Sequence, residues 1–342
     1  GSMAETVTGA FDGIFSVNKA VGMTSHDVVA RVRRLAHQKR VGHAGTLDPA
    51  ADGVLPICLG QATRMVEYLS ESGKAYRATV RFGVVTDTYD REGRIVREAP
   101  VSLTLDEITA TLPAFLGEQQ QTPPIYSAIK LNGQPLYALA RAGKHVTVAP
   151  RRIHIDALRV VAWNPPDLTL DVECGKGTYI RSLAYDLGER LGPGAHLAAL
   201  TRTRSGPFTL AGSLTLEELA AALADGSWRT RFYAPDEALL GWRAVILAEE
   251  SERWLRTGQL LRFGDAPPAS PLMRAYSVDG RFLGILRWDD EGQAWQPHKV
   301  LNVTPESAIE SAIESAIESA IESAIESAPE SGGQTAMGAT GA

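Results

Sequence analysis

The sequence predicts an α+β fold: a mixed, largely antiparallel central sheet flanked by helices, followed by a small β-rich C-terminal domain. Three observations carry that prediction. From Tyr76 the chain alternates strictly, with Tyr76, Ala78, Val80 and Phe82 on one face and Arg77, Thr79 and Arg81 on the other, the period of a half-buried strand. Residues 168–174 alternate likewise and stop at Gly175-Lys176-Gly177, where a helical pattern takes over. Strands and helices follow one another irregularly, without the repeated βα units of a doubly wound sheet.

Taken in order, residues 1–10 read as a tag remnant and a flexible N-terminus, since Gly1-Ser2 stands ahead of Met3. Thr24-Ser25-His26-Asp27 is a capping box, and Val28, Val29, Val32, Leu35 and Ala36 recur behind it at helical spacing. That helix leads to the glycine-bounded loop Gly42-His43-Ala44-Gly45-Thr46-Leu47-Asp48-Pro49. Asp48 precedes a proline, which pushes its backbone out of the helical region and presents the carboxylate on a connection instead of a helix face. With an ordinary pKa of roughly 3.9, an aspartate is ionised at neutral pH, fit to act as nucleophile, base or ligand. By itself the dipeptide is equally an Asp-Pro turn.

Residues 123–147, rich in Pro, Gly, Tyr and basic side chains, form an excursion from the sheet. After residues 168–174 comes a helix with Ile180, Leu183, Ala184, Leu187 and Leu191 inward, so Tyr179 and Arg181 fall on its first turn. The main body of the chain thus spans 11–241. A second domain of short strands covers 243–303, its clearest element a hairpin over 272–286 turned by Asp279-Gly280. Residues 304–342 are a low-complexity tail in which Ser-Ala-Ile-Glu occurs five times. A period of four drifts by roughly 40° per repeat around a helix, so the isoleucines spiral and form no fixed apolar face.

At 342 residues and 44% hydrophobic content the chain has enough material for a sizeable core and two domains. No apolar run approaches the roughly 20 residues of a membrane span, and the expected compartment is the cytoplasm. Cys58 and Cys174 both lie in strand-like apolar runs and are expected as buried, reduced thiols. The net charge of -6 seems to disfavour a nucleic-acid partner, but seven glutamates and no basic residues lie from Thr304 onward. Without them 33 acidic residues face 34 basic ones, and Arg31, Arg33, Arg34, Lys39 and Arg40 form a local basic patch. Gly175-Lys176-Gly177-Thr178 fails as a phosphate loop, because Gly177 separates the lysine from the hydroxyl residue. No Cys or His pair stands at zinc-ligand spacing, so a zinc site is not expected.

Five ordered segments then resemble the bacterial tRNA pseudouridine synthase B family: GHAGTLDP with ADGVLPICLGQATR, KAYRATVRFGVVTDT, PPIYSAIKLNGQPLYALAR, and GKGTYIRSLAYDLGERLGPGAHLAAL. The likeness runs from about residue 13 to 241, with a weaker match to an appended PUA-type RNA-binding domain. It implies the pseudouridine synthase fold and isomerisation of uridine 55 in the tRNA T loop, with no cofactor. It makes Asp48 the catalytic aspartate, Tyr76 the aromatic stacked on the target uracil and Arg181 the partner of the Asp48 carboxylate. Tyr179 and Leu200 surround the flipped base, His43 helps to reorganise the T loop, and Lys19 is expected on the substrate side, in place although the family's following proline is Ala20 here. The excursion over 123–147 becomes an RNA-binding thumb with Lys130, Arg141 and Lys144. After Leu200, Thr201 stands where the family has a basic residue, followed by Arg202. Attack at C1′ or at C6 and glycal formation with Tyr76 as base at C2′ are all compatible with a carboxylate here; the family favours the last. The partner is tRNA, held at its T-arm and elbow, and a monomer is expected. A guide-RNA-dependent synthase of the dyskerin type and an RNA-folding chaperone with incidental catalysis are the competing readings.

Overall fold

Why the chain changes direction where it does is clearest at its first helix. Thr24 caps α1 (Ser25–Ala36): its hydroxyl accepts the Asp27 amide at 2.9 Å while the Asp27 carboxylate accepts the Thr24 amide at 2.9 Å. His37 closes the helix in the left-handed conformation. The computed structural model describes residues 11–124, 130–131, 134–135, 142–143, 147–264 and 268–302. Residues 1–10 and the Ser-Ala-Ile-Glu tail therefore lie outside the described residues.

The strands begin with β1 (Gly13–Lys19), β2 (Val41–His43), β3 (Asp52–Leu59), β4 (Lys74–Phe82), β5 (Val84–Thr86) and β6 (Ile95–Glu98). They continue with β7 (Gly117–Gln121), β8 (Lys130–Leu131), β9 (Gln134–Pro135), β10 (Arg151–Asn164), β11 (Asp167–Cys174) and β12 (Ala195–Ser205). The last are β13 (Phe208–Thr209), β14 (Phe232–Tyr233), β15 (Ala244–Ile246), β16 (Leu272–Tyr276), β17 (Phe282–Asp289) and β18 (Ala294–Val300). The further helices are α2 (Val66–Glu71), α3 (Leu105–Thr111), α4 (Ile180–Leu191), α5 (Leu216–Asp225) and α6 (Glu249–Arg256).

The main sheet runs β14-β1-β3-β12-β4-β11-β10-β7, with β2 added to β3 and β13 to β12. Among its described strands only β3 and β12 pair in parallel, Thr201 opposite Asp52 and Arg202 opposite Gly53, so the sheet is mixed and mostly antiparallel, as the sequence predicts. Period two holds in β4: Ala78, Val80 and Phe82 are buried with Leu168, Leu170 and Val172 of β11 under Ile180, Leu183 and Leu187 of α4. Its exposed face pairs with β11, Arg77 to Asp171 at 2.9 Å and Arg81 to Asp167 at 2.8 Å. β1 is invisible to alternation because both of its faces are buried, and Ser16 and Lys19 interrupt the apolar run.

A second core gathers Val28, Val29 and Val32 of α1, Leu219 of α5, and Phe15, Leu55 and Ile57 of the sheet, with Leu47 of the Asp48 loop packed into it. The excursion leaves after β7 and returns at β10, two strands that are themselves antiparallel neighbours. Within it β8 and β9 pair as a separate small sheet, and Arg141 and Lys144 lie outside the described residues. β15 to β18 form a four-stranded sheet in which Gly280 turns the hairpin between β16 and β17. Lys299 bonds Glu67 at 2.7 Å, and Arg64 donates to the Val300 carbonyl at 2.6 Å, tying that sheet to the region around α2.

Candidate active site

The Asp48 loop is narrower than its glycines suggest, since Gly42 and His43 belong to β2 and the irregular chain begins at Ala44. Pro49 occupies the second position of a turn closed by the Ala51 amide on the Asp48 carbonyl at 3.0 Å. The Gly22 amide donates to the Pro49 carbonyl at 2.7 Å, and the Ala44 amide to that of Pro56 at 3.0 Å. Ser25 accepts the Leu47 amide at 3.0 Å and donates to the Leu47 carbonyl at 3.2 Å, fastening the loop to the first turn of α1. Gly45 takes a positive φ of 78°, a conformation costly for other L-residues. Beneath the loop the Arg202 guanidinium donates to the carbonyls of Gly45 (3.0 Å), Thr46 (3.4 Å) and Val54 (2.7 Å).

Arg181 enters from the first turn of α4, its side chain only 8% exposed against 43% for Asp48. Its Nε lies 3.2 Å from Asp48 Oδ2, while Nη1 lies 3.9 Å from Asp90 Oδ2 and donates to the Thr88 carbonyl at 3.4 Å. Asp90 is held in turn by the Thr88 hydroxyl at 2.5 Å and the Glu92 amide at 3.0 Å. The helix start is fixed by buried Gln121 of β7, which accepts the Tyr179 amide at 2.8 Å and donates to the Tyr179 carbonyl at 3.1 Å. A small cleft results, lined by Asp48, Ala51, Asp90, Arg181, Leu197 and Leu200. Two carboxylates thus flank one buried guanidinium beside an apolar wall.

Tyr76 and Tyr179 stand outside the residues lining that cleft. Tyr76 sits on β4 directly opposite Arg202 of β12 and packs against the core beneath α4. Burial pushes its phenol pKa up, and polar contact with the Arg202 guanidinium opposes the rise. The His43 ring meets His26 edge-on at 6.0 Å, and burial, followed by the charges of His26 and Arg202, pushes its pKa down. Lys130 lies in β8, and only its backbone is described. Lys19 departs from the sequence reading as a substrate-side residue. It is fully buried, and its ammonium donates to the carbonyls of Ala20 at 2.8 Å and Met23 at 2.7 Å, so it ties the turn before α1. Burial pushes its pKa down, with Asp52 and Asp48 opposing. Cys58 and Cys174 are free and buried, with burial pushing their thiols up to about 12 and about 11. Among the described residues no group of three or more His, Cys, Asp or Glu side chains could hold a metal ion.

With this geometry in hand, residues 33–180 match the TruB family pseudouridylate synthase N-terminal domain, and residues 181–241 match the tRNA pseudouridylate synthase B C-terminal domain. The tRNA pseudouridine synthase B of Pseudomonas syringae pv. syringae is 44% identical over 284 residues, 82% of this chain and 93% of the relative. The chain belongs to the TruB family. The tRNA pseudouridine synthase B of Thiobacillus denitrificans, another TruB protein, is 45% identical over 81% of this chain and 92% of its own length. A solved Cbf5–Nop10–Gar1 complex contains a chain 26% identical to this one, with a TM-score of 0.63 over 80% of this chain and 78% of that chain. An H/ACA RNP bound to a substrate RNA containing 2′-deoxyuridine shares the TruB fold at a TM-score of 0.66, 24% identity and 84% coverage of both chains.

Asp90, Thr88, Gln121 and Arg202 complete the site, and sequence reasoning did not assign them to it. The signal for Asp90 was present in the run Asp87-Thr88-Tyr89-Asp90, whose short polar residues favour a tight turn directly after a strand. Arg202 carries no such signal, because a buried arginine and a surface arginine look alike in sequence.

Proposed function

We propose that this chain converts uridine 55 in the T loop of tRNA to pseudouridine. The conversion breaks the C1′–N1 bond, turns the base and forms a C1′–C5 bond; the C5 proton leaves and N1 gains one, so there is no net redox change. One observation carries the reading: the Asp48 carboxylate stands half-exposed at the cleft while its partner Arg181 is buried behind it at 3.2 Å. A carboxylate held by that ion pair keeps one orientation at the mouth of the cleft.

The target uridine has to leave its stack to reach Asp48, at a cost of a few kcal/mol. Leu197 and Leu200 give the cleft an apolar wall that excludes water from the detached base. Tyr76 offers the aromatic face, with stacking worth roughly 1 to 3 kcal/mol per base. Asp48 stabilises charge at C1′ along the glycal route favoured here. His43 helps to reorganise the T loop, Tyr179 flanks the flipped base, and residues 123–147 grip the T-arm as a thumb.

The protein acts as a monomer in the cytoplasm in this reading, with residues 243–303 as a PUA-like RNA-binding domain. No described helix is long and apolar enough to cross a membrane. A stand-alone enzyme is favoured over a guide-dependent one because a long excursion separates neighbouring strands β7 and β10, where a thumb would be mounted. The test is an unmodified tRNA transcript incubated with the protein alone, followed by base-resolution mapping of pseudouridine. Product at position 55 without a guide RNA is expected; no product, or product elsewhere, would refute the proposal.

A further inference from the structure

We infer that Arg202 is a positioning residue for this reaction: a single guanidinium holds the Asp48 turn against the strand that bears Tyr76 and so sets carboxylate and aromatic relative to each other. The inference rests on the proposed function of the cleft.

Arg202 is among the largest fully buried side chains of the molecule, 1% exposed. No carboxylate forms an ion pair with it among the described residues, and burying such a cation is expensive. An apolar side chain of similar volume would fill the space at lower cost to stability. What the guanidinium supplies is a rigid fork of donors, reaching three carbonyls at separate points of the chain. Two of these, Gly45 and Thr46, lie three and two residues ahead of Asp48, and the third, Val54, lies on the strand that follows it.

The backbone of Arg202 occupies the matching junction. It is the register partner of Gly53 in parallel β3 and of Tyr76 in antiparallel β4. Its side chain also makes the polar contact with the Tyr76 hydroxyl. Both reacting walls therefore refer to one residue. Burial also excludes a direct RNA contact for Arg202, because a guanidinium closed off beneath the loop cannot meet RNA. Thr201, its neighbour, faces a different duty: its hydroxyl donates to Asp52 Oδ1 at 2.5 Å.

The test uses the full chain and an unmodified tRNA transcript. Single-turnover rates at saturating enzyme, tRNA affinity and thermal melting are measured for wild type, Arg202→Gln and Arg202→Lys. A misplacement of about 1 Å costs on the order of 100-fold in rate, which is the loss expected for Arg202→Gln. Arg202→Lys keeps the charge but gathers its donors on one nitrogen, so about 10-fold is expected, with tRNA affinity of both variants within about 2-fold of wild type. A residue serving stability alone would lower the melting temperature while the folded fraction reacted at the wild-type rate. Folded variants with wild-type rates, losses confined to affinity, or two variants that both fail to fold would each overturn the inference. Wild-type protein that makes no pseudouridine would instead overturn the reading of the cleft.

Discussion

The Asp48 turn and the basic end of α1 are close in sequence and opposite in construction. Around Asp48 the backbone is fastened by Ser25, Gly22, Pro56 and Arg202, so the carboxylate has little room to drift. At the end of α1, Arg31, Arg33, Arg34, Lys39 and Arg40 are all exposed, and none forms an ion pair among the described residues. Arg33 and Arg40 are partly committed, donating to the Lys39 carbonyl and the Thr63 hydroxyl, both at 3.0 Å. Under the proposed function the difference separates two tasks. A reacting group gains from fixed geometry, whereas phosphate recognition gains from solvated cations that release counterions when they bind.

The sharpest way to break the rigid half is at Gly53, whose φ of 110° is unfavourable for other residues. An added Cβ there would stand 2.2 Å from the Arg202 carbonyl oxygen, whereas at Gly45 the nearest atom is 3.5 Å away. Gly53→Ala should therefore cost about 3 kcal/mol or more, combining strain with a backbone clash, and Gly45→Ala about 1 kcal/mol from conformation alone. Equal losses in denaturant unfolding would show that Arg202 does not crowd this junction.

On the solvated half, Arg31→Gln with Arg34→Gln should weaken tRNA binding at low salt while leaving the melting temperature unchanged. If both contact phosphate, the slope of log affinity against log salt should fall by about 1.5. An unchanged slope would remove this patch from the RNA interface.

The smallest effect concerns a buried cation at the foot of β4. The Lys74 ammonium donates to the carbonyls of Leu69 at 3.0 Å and Ser72 at 2.5 Å. Burial, followed by the neighbouring charge of Arg202, lowers its pKa from 10.5 to about 8, with Arg204 adding to the shift and Cys174 opposing it. Between those pH values the unfolded chain holds this proton more tightly than the folded one, so the Lys74 contribution to stability rises as pH increases from about 8 to 10.5. Melting curves of wild type and Lys74→Met should therefore diverge in favour of wild type over that range. Parallel curves would contradict the depressed pKa.

Much of this architecture was legible in the sequence where one face of an element meets water. β4 and β11 show period two because their outer faces carry charged pairs, and α1 shows its cap because Thr24 and Asp27 are adjacent partners. Asp48 stood out through its proline, whereas the apolar spacing of α4 put Arg181 only on a first turn and the family resemblance tied it to Asp48. What escaped were groups whose role depends on strand register. Arg202 meets Gly53 and Tyr76 only once β12 is inserted between β3 and β4, an order that local patterns do not encode. Lys19 misled for the same reason: a lysine reads as exposed, yet its ammonium closes the turn before α1 from inside. Asp90 joins the cleft through tertiary contact with Arg181, across ninety residues of chain.

The most direct measurement compares wild type with Asp48→Asn, recording tRNA affinity and the single-turnover rate of pseudouridine formation on the same transcript. The amide keeps the shape of the side chain and removes its charge. Affinity within about 3-fold of wild type, with product formation lost by at least about a thousand-fold, is the expected result. Pseudouridine formed by Asp48→Asn at a rate near that of wild type would contradict the assignment of Asp48 as the reacting carboxylate.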